Sequence, residues 1–218
     1  MRFINLHTHH VFEGNSLYVL NYRLGYDKVI DPTQPFSIGV HPWDTALVNE
    51  NSMRDLAHFV TMPNCLAIGE CGLDKLITTP LDLQKEIVEQ QLQLAIKYKK
   101  PVIIHCVKAF DELIEICNPY VNLIPLIIHG FNKSELLAKQ LIDKGFYLSL
   151  HHKLVLKSDF NMQGLPLTKL FFETDNDPNL LIQDVYQGFA TKLNMELDAL
   201  KALINRNFET LFYDTNNR

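Results

Sequence analysis

Residues 65–106 read CLAIGECGLDKLITTPLDLQKEIVEQQLQLAIKYKKPVIIHC, and the fold is decided in this stretch. Its ends, Cys65–Gly69 and Pro101–Ile104, are short and almost continuously apolar, the pattern of strands buried on both faces. Residues 80–99 between them carry a helical repeat, with Leu83, Ile87, Gln91, Leu94 and Tyr98 on one stripe and Pro80 suited to the first turn. Strand, helix and strand in this order form a βα unit leading into a second strand.

The alternation continues in both directions. Strand-like runs recur at Arg2–Leu6, Phe36–Val40, Pro125–Ile128, Phe146–Leu150 and Lys169–Phe172, and helical patterns at 52–60, 109–117, 134–144, 179–193 and 196–212. Ser134 is placed to cap one of these helices and Gly145 to end it. Seven clear strands predict an α/β fold, a TIM-like (β/α) barrel that is distorted and has a shortened first βα region. The alternative, an open doubly wound sheet, is weakened because no glycine-rich phosphate loop follows the first strand. Residues 10–35 are irregular: Tyr18, Leu20, Tyr22 and Leu24 alternate like a lone strand or hairpin arm, with too little length for a helix and a full parallel strand. No linker, repeat or low-complexity tract interrupts the chain, so residues 1–218 are expected to form a single domain.

Composition narrows the function. The chain has 218 residues, 47% of them hydrophobic and 21% charged, with a net charge of −5. That balance suits a folded, soluble protein and argues against a broad basic face for nucleic acid. It leaves room for a small anionic substrate held by metals, whose charge can replace that of side chains. No apolar run is long enough to span a membrane, and the opening MRFINLHTHH lacks a signal-peptide pattern. Cys65, Cys71, Cys106 and Cys117 show no paired spacing, so a reduced, cytoplasmic protein is expected. No feature points to an obligate protein partner.

The chemistry is carried by position. Nearly every strand candidate ends in a metal-compatible residue: His7 and His9 after the first, then His41, Glu70, His105, His129 and Asp175. In a βα barrel the strand C-termini meet at the active site. Side chains two apart on an extended segment point the same way, so His7 and His9 can reach one ion. Mixed imidazole and carboxylate ligands suit zinc, manganese, iron or magnesium. Two ions roughly 3.5–4 Å apart require a bridging carboxylate. Glu70 is the expected bridge, with His7, His9 and Asp175 on one ion and His105 and His129 on the other. A water between the ions, deprotonated near neutral pH, would attack phosphorus or a carbonyl, with Asp175 accepting its proton. Glu70 and Asp175 are thus the expected catalytic residues. His151 and His152, after the sixth apolar run, are weaker candidates for lining the pocket, as are the loop carboxylates Glu13 and Asp44. His58 reads as a surface residue, and Cys71 and Cys106, beside expected ligands, as buried packing.

In order, HTH near the start, GVHPW at 39–43, AIGECGLD at 67–74, PVIIHC at 101–106, IIHGF at 127–131, GFYLS at 145–149, FFETD at 171–175 and NRNFETLF at 205–212 resemble the TatD family of metal-dependent hydrolases. The resemblance covers nearly the whole chain apart from 10–35. It implies a TIM-barrel-like relative of the amidohydrolases, two divalent ions (Mg, Mn or Zn), and a phosphodiesterase or DNase activity. By position it implies metal roles for His7, His9, Glu70, His105, His129 and Asp175, with His41 beside the substrate phosphate. Four departures fall around the substrate. The segment before GVHPW is shortened. HCVKAF places Val107 where the family has Arg, leaving Lys108 beside it as the candidate phosphate contact. HGFNK replaces a flexible glycine with Lys133. ETDNDPN lacks the usual small residue and aromatic. Lys75, Lys108, Lys133 and Lys153 near expected loops favour a phosphodiester or DNA substrate. The competing readings are hydrolysis of a small carbonyl compound (amide, lactone or aminoacyl ester) and a non-catalytic metal-binding barrel.

Overall fold

The computed structural model describes residues 1–11, 14 and 16–213; Glu13 lies outside the described residues. It has eight strands, each paired in parallel wherever the register is defined, and they follow the chain in one sheet: β1 (Phe3–Thr8), β2 (Ser16–Arg23), β3 (Phe36–Gly39), β4 (Cys65–Asp74), β5 (Val102–Val107), β6 (Leu126–Phe131), β7 (Tyr147–Leu150) and β8 (Leu170–Phe172). Among the described residues six α-helices lie between and after them: α1 (Ser52–Val60), α2 (Leu81–Tyr98), α3 (Phe110–Cys117), α4 (Glu135–Asp143), α5 (Ile182–Leu193) and α6 (Leu197–Phe212). Sequential strand order is that of the TIM-like (β/α) barrel class; a doubly wound sheet reverses its order at a switch point.

The lone strand expected near Tyr18 is a full member of the sheet. β2 pairs with β1 in parallel, Phe3 opposite Ser16 and Asn5 opposite Tyr18, so it is not a hairpin arm. In the chain, β1 and β2 are separated by residues 9–15.

The described chain divides into two compact units. One runs from Asn21 to Ile128 and contains β3, β4, β5 and helices α1 to α3. Here α2 corrects the expected stripe. Leu83 is exposed, and the buried face is Gln84, Ile87, Val88, Gln91, Leu92 and Ala95. The stripe holds at Ile87 and Gln91 and fails at its N-terminal end, where the amide of Gln84 is buried in place of Leu83. Gln91 accepts from Val40 N–H at 2.8 Å and donates to Val40 O and Ile87 O. Gln84, two turns earlier, accepts from Asp74 N–H and donates to Asp74 O and Thr79 O. Backbone groups beyond β3 and at the end of β4 are thereby satisfied inside the protein, as buried polar groups must be.

The second unit contains Met1–Leu20 together with the chain from His129 through α6. The Tyr186 hydroxyl donates to Ile4 O and accepts from Ile4 N–H, joining α5 to β1. Phe172 stacks on Phe189 at 4.4 Å, which fixes β8 to α5. Asn207 of NRNFETLF donates to Leu167 O and Leu170 O, so the closing helix holds the start of β8. Ser134 caps α4 by accepting from Leu137 N–H, as expected.

Candidate metal centre

The ladder irregularities fall at expected ligands. Between Asn5 and Thr8, β1 advances three residues while β2 advances two (Tyr18 to Leu20), which places an extra residue around Leu6–His7. β4 does the same against β5: Ile68 to Cys71 faces Val102 to Ile104, so Gly69 and Glu70 carry the bulge. Such bulges re-aim a side chain next to a site. β4 continues to Asp74, so Glu70 sits on the bulge within the strand rather than at its end. Gly69 and Gly72 have φ of +135° and +151°, and a Cβ on either would lie 2.3 Å from Ile103 O or 1.9 Å from His105 O. β4 can approach β5 this closely only with glycine there.

In the unit built on β1 and β8, His7, His9 and Asp175 bring ligand atoms within 4.8 Å of one another. Nε2 of His7 and Nε2 of His9 each lie 3.7 Å from Asp175 Oδ1. The backbone fixes this grouping: Asp175 N–H donates to His7 O and His9 N–H to Asp175 O, both at 3.1 Å. Asp175 itself has a φ of +53°, a left-handed conformation that Asp tolerates better than most residues. The His129 ring lies 4.2 Å from the His7 ring, and its Nδ1 is 3.4 Å from Glu173 Oε1. Glu173 also accepts from Gly130 N–H at 2.7 Å. It is a buried carboxylate whose Oε2 has no hydrogen-bond partner among the described residues. Leaving such an oxygen unpaired is costly unless a cation compensates it. His129, Glu173 and Asp175 also form a group that could hold a metal ion. The donor set of imidazoles and carboxylates therefore fits a divalent ion.

In the other unit, His41, Glu70 and His105 form a second such group. His105 Nδ1 lies 2.7 Å and His41 Nε2 3.1 Å from the same oxygen, Glu70 Oε1. His41 Nδ1 accepts from Trp43 N–H, so its proton sits on Nε2 and is donated to Glu70. His41 thus holds Glu70 in place, and burial lowers its pKa below the usual value despite the opposing pull of Glu70. Asn21 Oδ1 accepts from Glu70 N–H at 2.7 Å, and Asp74 Oδ2 lies 3.7 Å from His105 Nε2.

The remaining expectations resolve as follows. Lys108 is exposed immediately after β5, with φ +54°. Lys75 is paired with Glu112, which removes it from the lysines considered for phosphate. Lys133 and Lys153, with Lys157, line a cavity of about 510 Å³ beside the start of α4. His151 is half-buried, its Nδ1 accepting from Lys153 N–H, and its ring lies 4.4 Å from that of His152. Asp44 holds Arg23 through two hydrogen bonds of 2.6–2.7 Å, a structural role. His58 is on the surface and Cys71 is buried as expected, while Cys106 is only partly buried. Sequence reading missed Asp74 and Glu173. Both lie inside quoted motifs, and the signal for each was a carboxylate at or just past the end of a largely apolar strand.

Comparisons with known proteins identify the family. The family model described as TatD related DNase matches residues 14–213. A 3'-5' ssDNA/RNA exonuclease TatD from Cronobacter turicensis is 30% identical over 164 residues, covering 72% of this chain and 62% of the relative. The protein of that name from Edwardsiella piscicida is 32% identical over 155 residues, 67% of this chain and 59% of the relative. The chain thus spans about three fifths of the length of these relatives. Human 3'-5' RNA nuclease TATDN2 is 29% identical over 76% of this chain and 24% of its own. Among solved structures, a TatD homolog from Escherichia coli superposes with a TM-score of 0.82 at 21% identity, covering 97% of this chain and 98% of the other. A TatD family hydrolase from Entamoeba histolytica gives 0.79 at 15% identity, covering 98% of this chain and 99% of the other. On the extent of the family match, the chain belongs to the TatD related DNase family.

Proposed function

We propose that the protein is a divalent-metal-dependent phosphodiesterase acting on single-stranded nucleic acid, with residues 1–218 working as one hydrolase domain. The observation that carries this reading is the grouping of His7, His9 and Asp175 within 4.8 Å, locked by reciprocal backbone hydrogen bonds. The group of His41, Glu70 and His105 adds to it. Curated relatives named as 3'-5' ssDNA/RNA exonucleases support the substrate class. His7, His9, Glu70, His105, His129 and Asp175 are the proposed metal ligands, for two ions. Bound there, such ions supply Lewis-acid polarisation of a phosphoryl oxygen and acidify an attacking water. The chain's own groups do the rest. Asp175, held by two backbone bonds, accepts the proton of the attacking water. His41 donates to Glu70 and fixes the orientation of that carboxylate, and it faces the substrate phosphate. Lys108 supplies an exposed cation beside β5. Among the described residues no helix is long and apolar enough to cross a membrane; the lack of paired spacing among the four cysteines supports a cytoplasmic location.

The test is metal analysis of the purified protein, followed by incubation of end-labelled single-stranded DNA and RNA with Mg²⁺, Mn²⁺ or Zn²⁺. Expected are stepwise products that vanish with chelator, together with activity lost in Glu70→Gln and Asp175→Asn. Asp175→Asn is expected to retain more metal than Glu70→Gln, because proton acceptance is its chief role. Hydrolysis of neither oligonucleotide nor any activated phosphodiester with all three ions sinks the reading.

A further inference from the structure

Trp43 is the one tryptophan in the chain, and it is 56% exposed. An indole that exposed ordinarily has a free N–H and a ring without fixed direction. Here Nε1 donates to Asp74 Oδ2 at 2.9 Å. Asp74 is buried and held in turn, accepting from Leu76 N–H through its other oxygen and giving its own N–H to Gln84. The ring edge packs at 4.8 Å and 81° against His41, and at 6.4 Å and 71° against His105. The Arg23 guanidinium lies 5.6 Å from the Trp43 ring and 4.1 Å from that of Tyr26, which is 59% exposed. Asp44 engages Nε and Nη2 of Arg23, which fixes the guanidinium against the Tyr26 ring and beside Trp43.

We propose that Trp43, preset by Asp74 and flanked by Arg23 and Tyr26, is a stacking platform for an unpaired nucleobase next to the His41–Glu70–His105 group. This rests on the reading of the substrate as single-stranded nucleic acid and adds how its bases are held. Bases of every type present a π-face, so stacking gives affinity with little sequence preference. An aromatic face whose orientation is already fixed loses less freedom on binding. A platform of this kind also suits a chain with net charge −5, in which no overall positive charge draws in the phosphates.

The sole tryptophan makes the test direct. The full chain is titrated with an oligothymidylate carrying non-hydrolysable phosphorothioate linkages, and with an abasic phosphorothioate oligomer of equal length, while Trp43 fluorescence is read. The thymidylate is expected to quench the emission and the abasic oligomer to leave it unchanged. In parallel, anisotropy of a labelled oligothymidylate is expected to show binding weakened about 5- to 100-fold by Trp43→Ala, in line with measured base–aromatic stacking. Trp43→Phe should keep most of the affinity, and the abasic oligomer should bind both variants as it binds the wild type. Equal quenching by both oligomers, or none by either, overturns the proposal even if DNA is hydrolysed. Base-dependent quenching without hydrolysis of any phosphodiester keeps the platform and rejects the nuclease reading.

Discussion

Replacing Gln91 with Leu tests how α2 positions the chain that presents His41. Gln91 is fully buried. Its amide satisfies both backbone groups of Val40, the residue before His41, at 2.8 and 3.2 Å. Leucine has a similar volume and is apolar, so the packing survives while the Val40 N–H and C=O lose their partner in a site closed to water. Each buried group left unsatisfied costs about 1–3 kcal/mol, which gives a loss of about 2–6 kcal/mol for the pair. For a chain of this size that corresponds to a fall in Tm of about 4–24 °C. Urea unfolding followed by far-UV circular dichroism measures it. Gln90→Leu is the control: that amide lies on the outer side of α2 bonded to Glu86, and its loss should stay within about 0.5 kcal/mol. If Gln91→Leu is as stable as the wild type within that margin, the amide is not holding Val40 and the reasoning is refuted.

Other expectations follow from single residues. Gly72→Ala drives a Cβ to 1.9 Å from His105 O, so soluble expression and thermal melting should reveal a loss above about 3 kcal/mol or failure to fold. Gly14→Ala, also at positive φ but with none of the described residues within 4 Å, should cost only about 1–2 kcal/mol. Burial pushes the thiols of Cys65 and Cys71 up to about 12, and that of Cys117 upward as well. Ellman's reagent on native protein at mildly alkaline pH should therefore titrate Cys106 rapidly and the rest only after denaturation; a second fast thiol contradicts this. Burial, with His152 as a smaller cause, lowers the His151 pKa below 6.5. The neutral ring is thus favoured by folding, and its stabilisation, complete above that value, is lost as pH falls through the folded pKa. Melting curves of His151→Gln should lose less stability than wild type on acidification below that value, and parallel curves would contradict the assignment.

The seven strands around 2, 36, 65, 101, 125, 146 and 169 and the six helices were legible because apolar periodicity is a local property that each segment carries by itself. The HTH spacing also placed His7 and His9 on one side for that reason. The eighth strand, Ser16–Arg23, was not legible as such: alternation shows an extended segment, but its parallel partner β1 is chosen only when the sheet assembles. The departure on α2 has the same origin. A glutamine is polar in any window, and only the strands beside it decide whether its amide meets water or the backbone of Val40 and Asp74. Asp74 and Glu173 likewise depend on atoms far away in sequence. What the sequence determined by itself was the order of elements and the residue types delivered near strand ends. The tertiary structure decided which carboxylate faces which imidazole, because a hydrogen bond between segments is defined by distance in space and leaves no period in the chain.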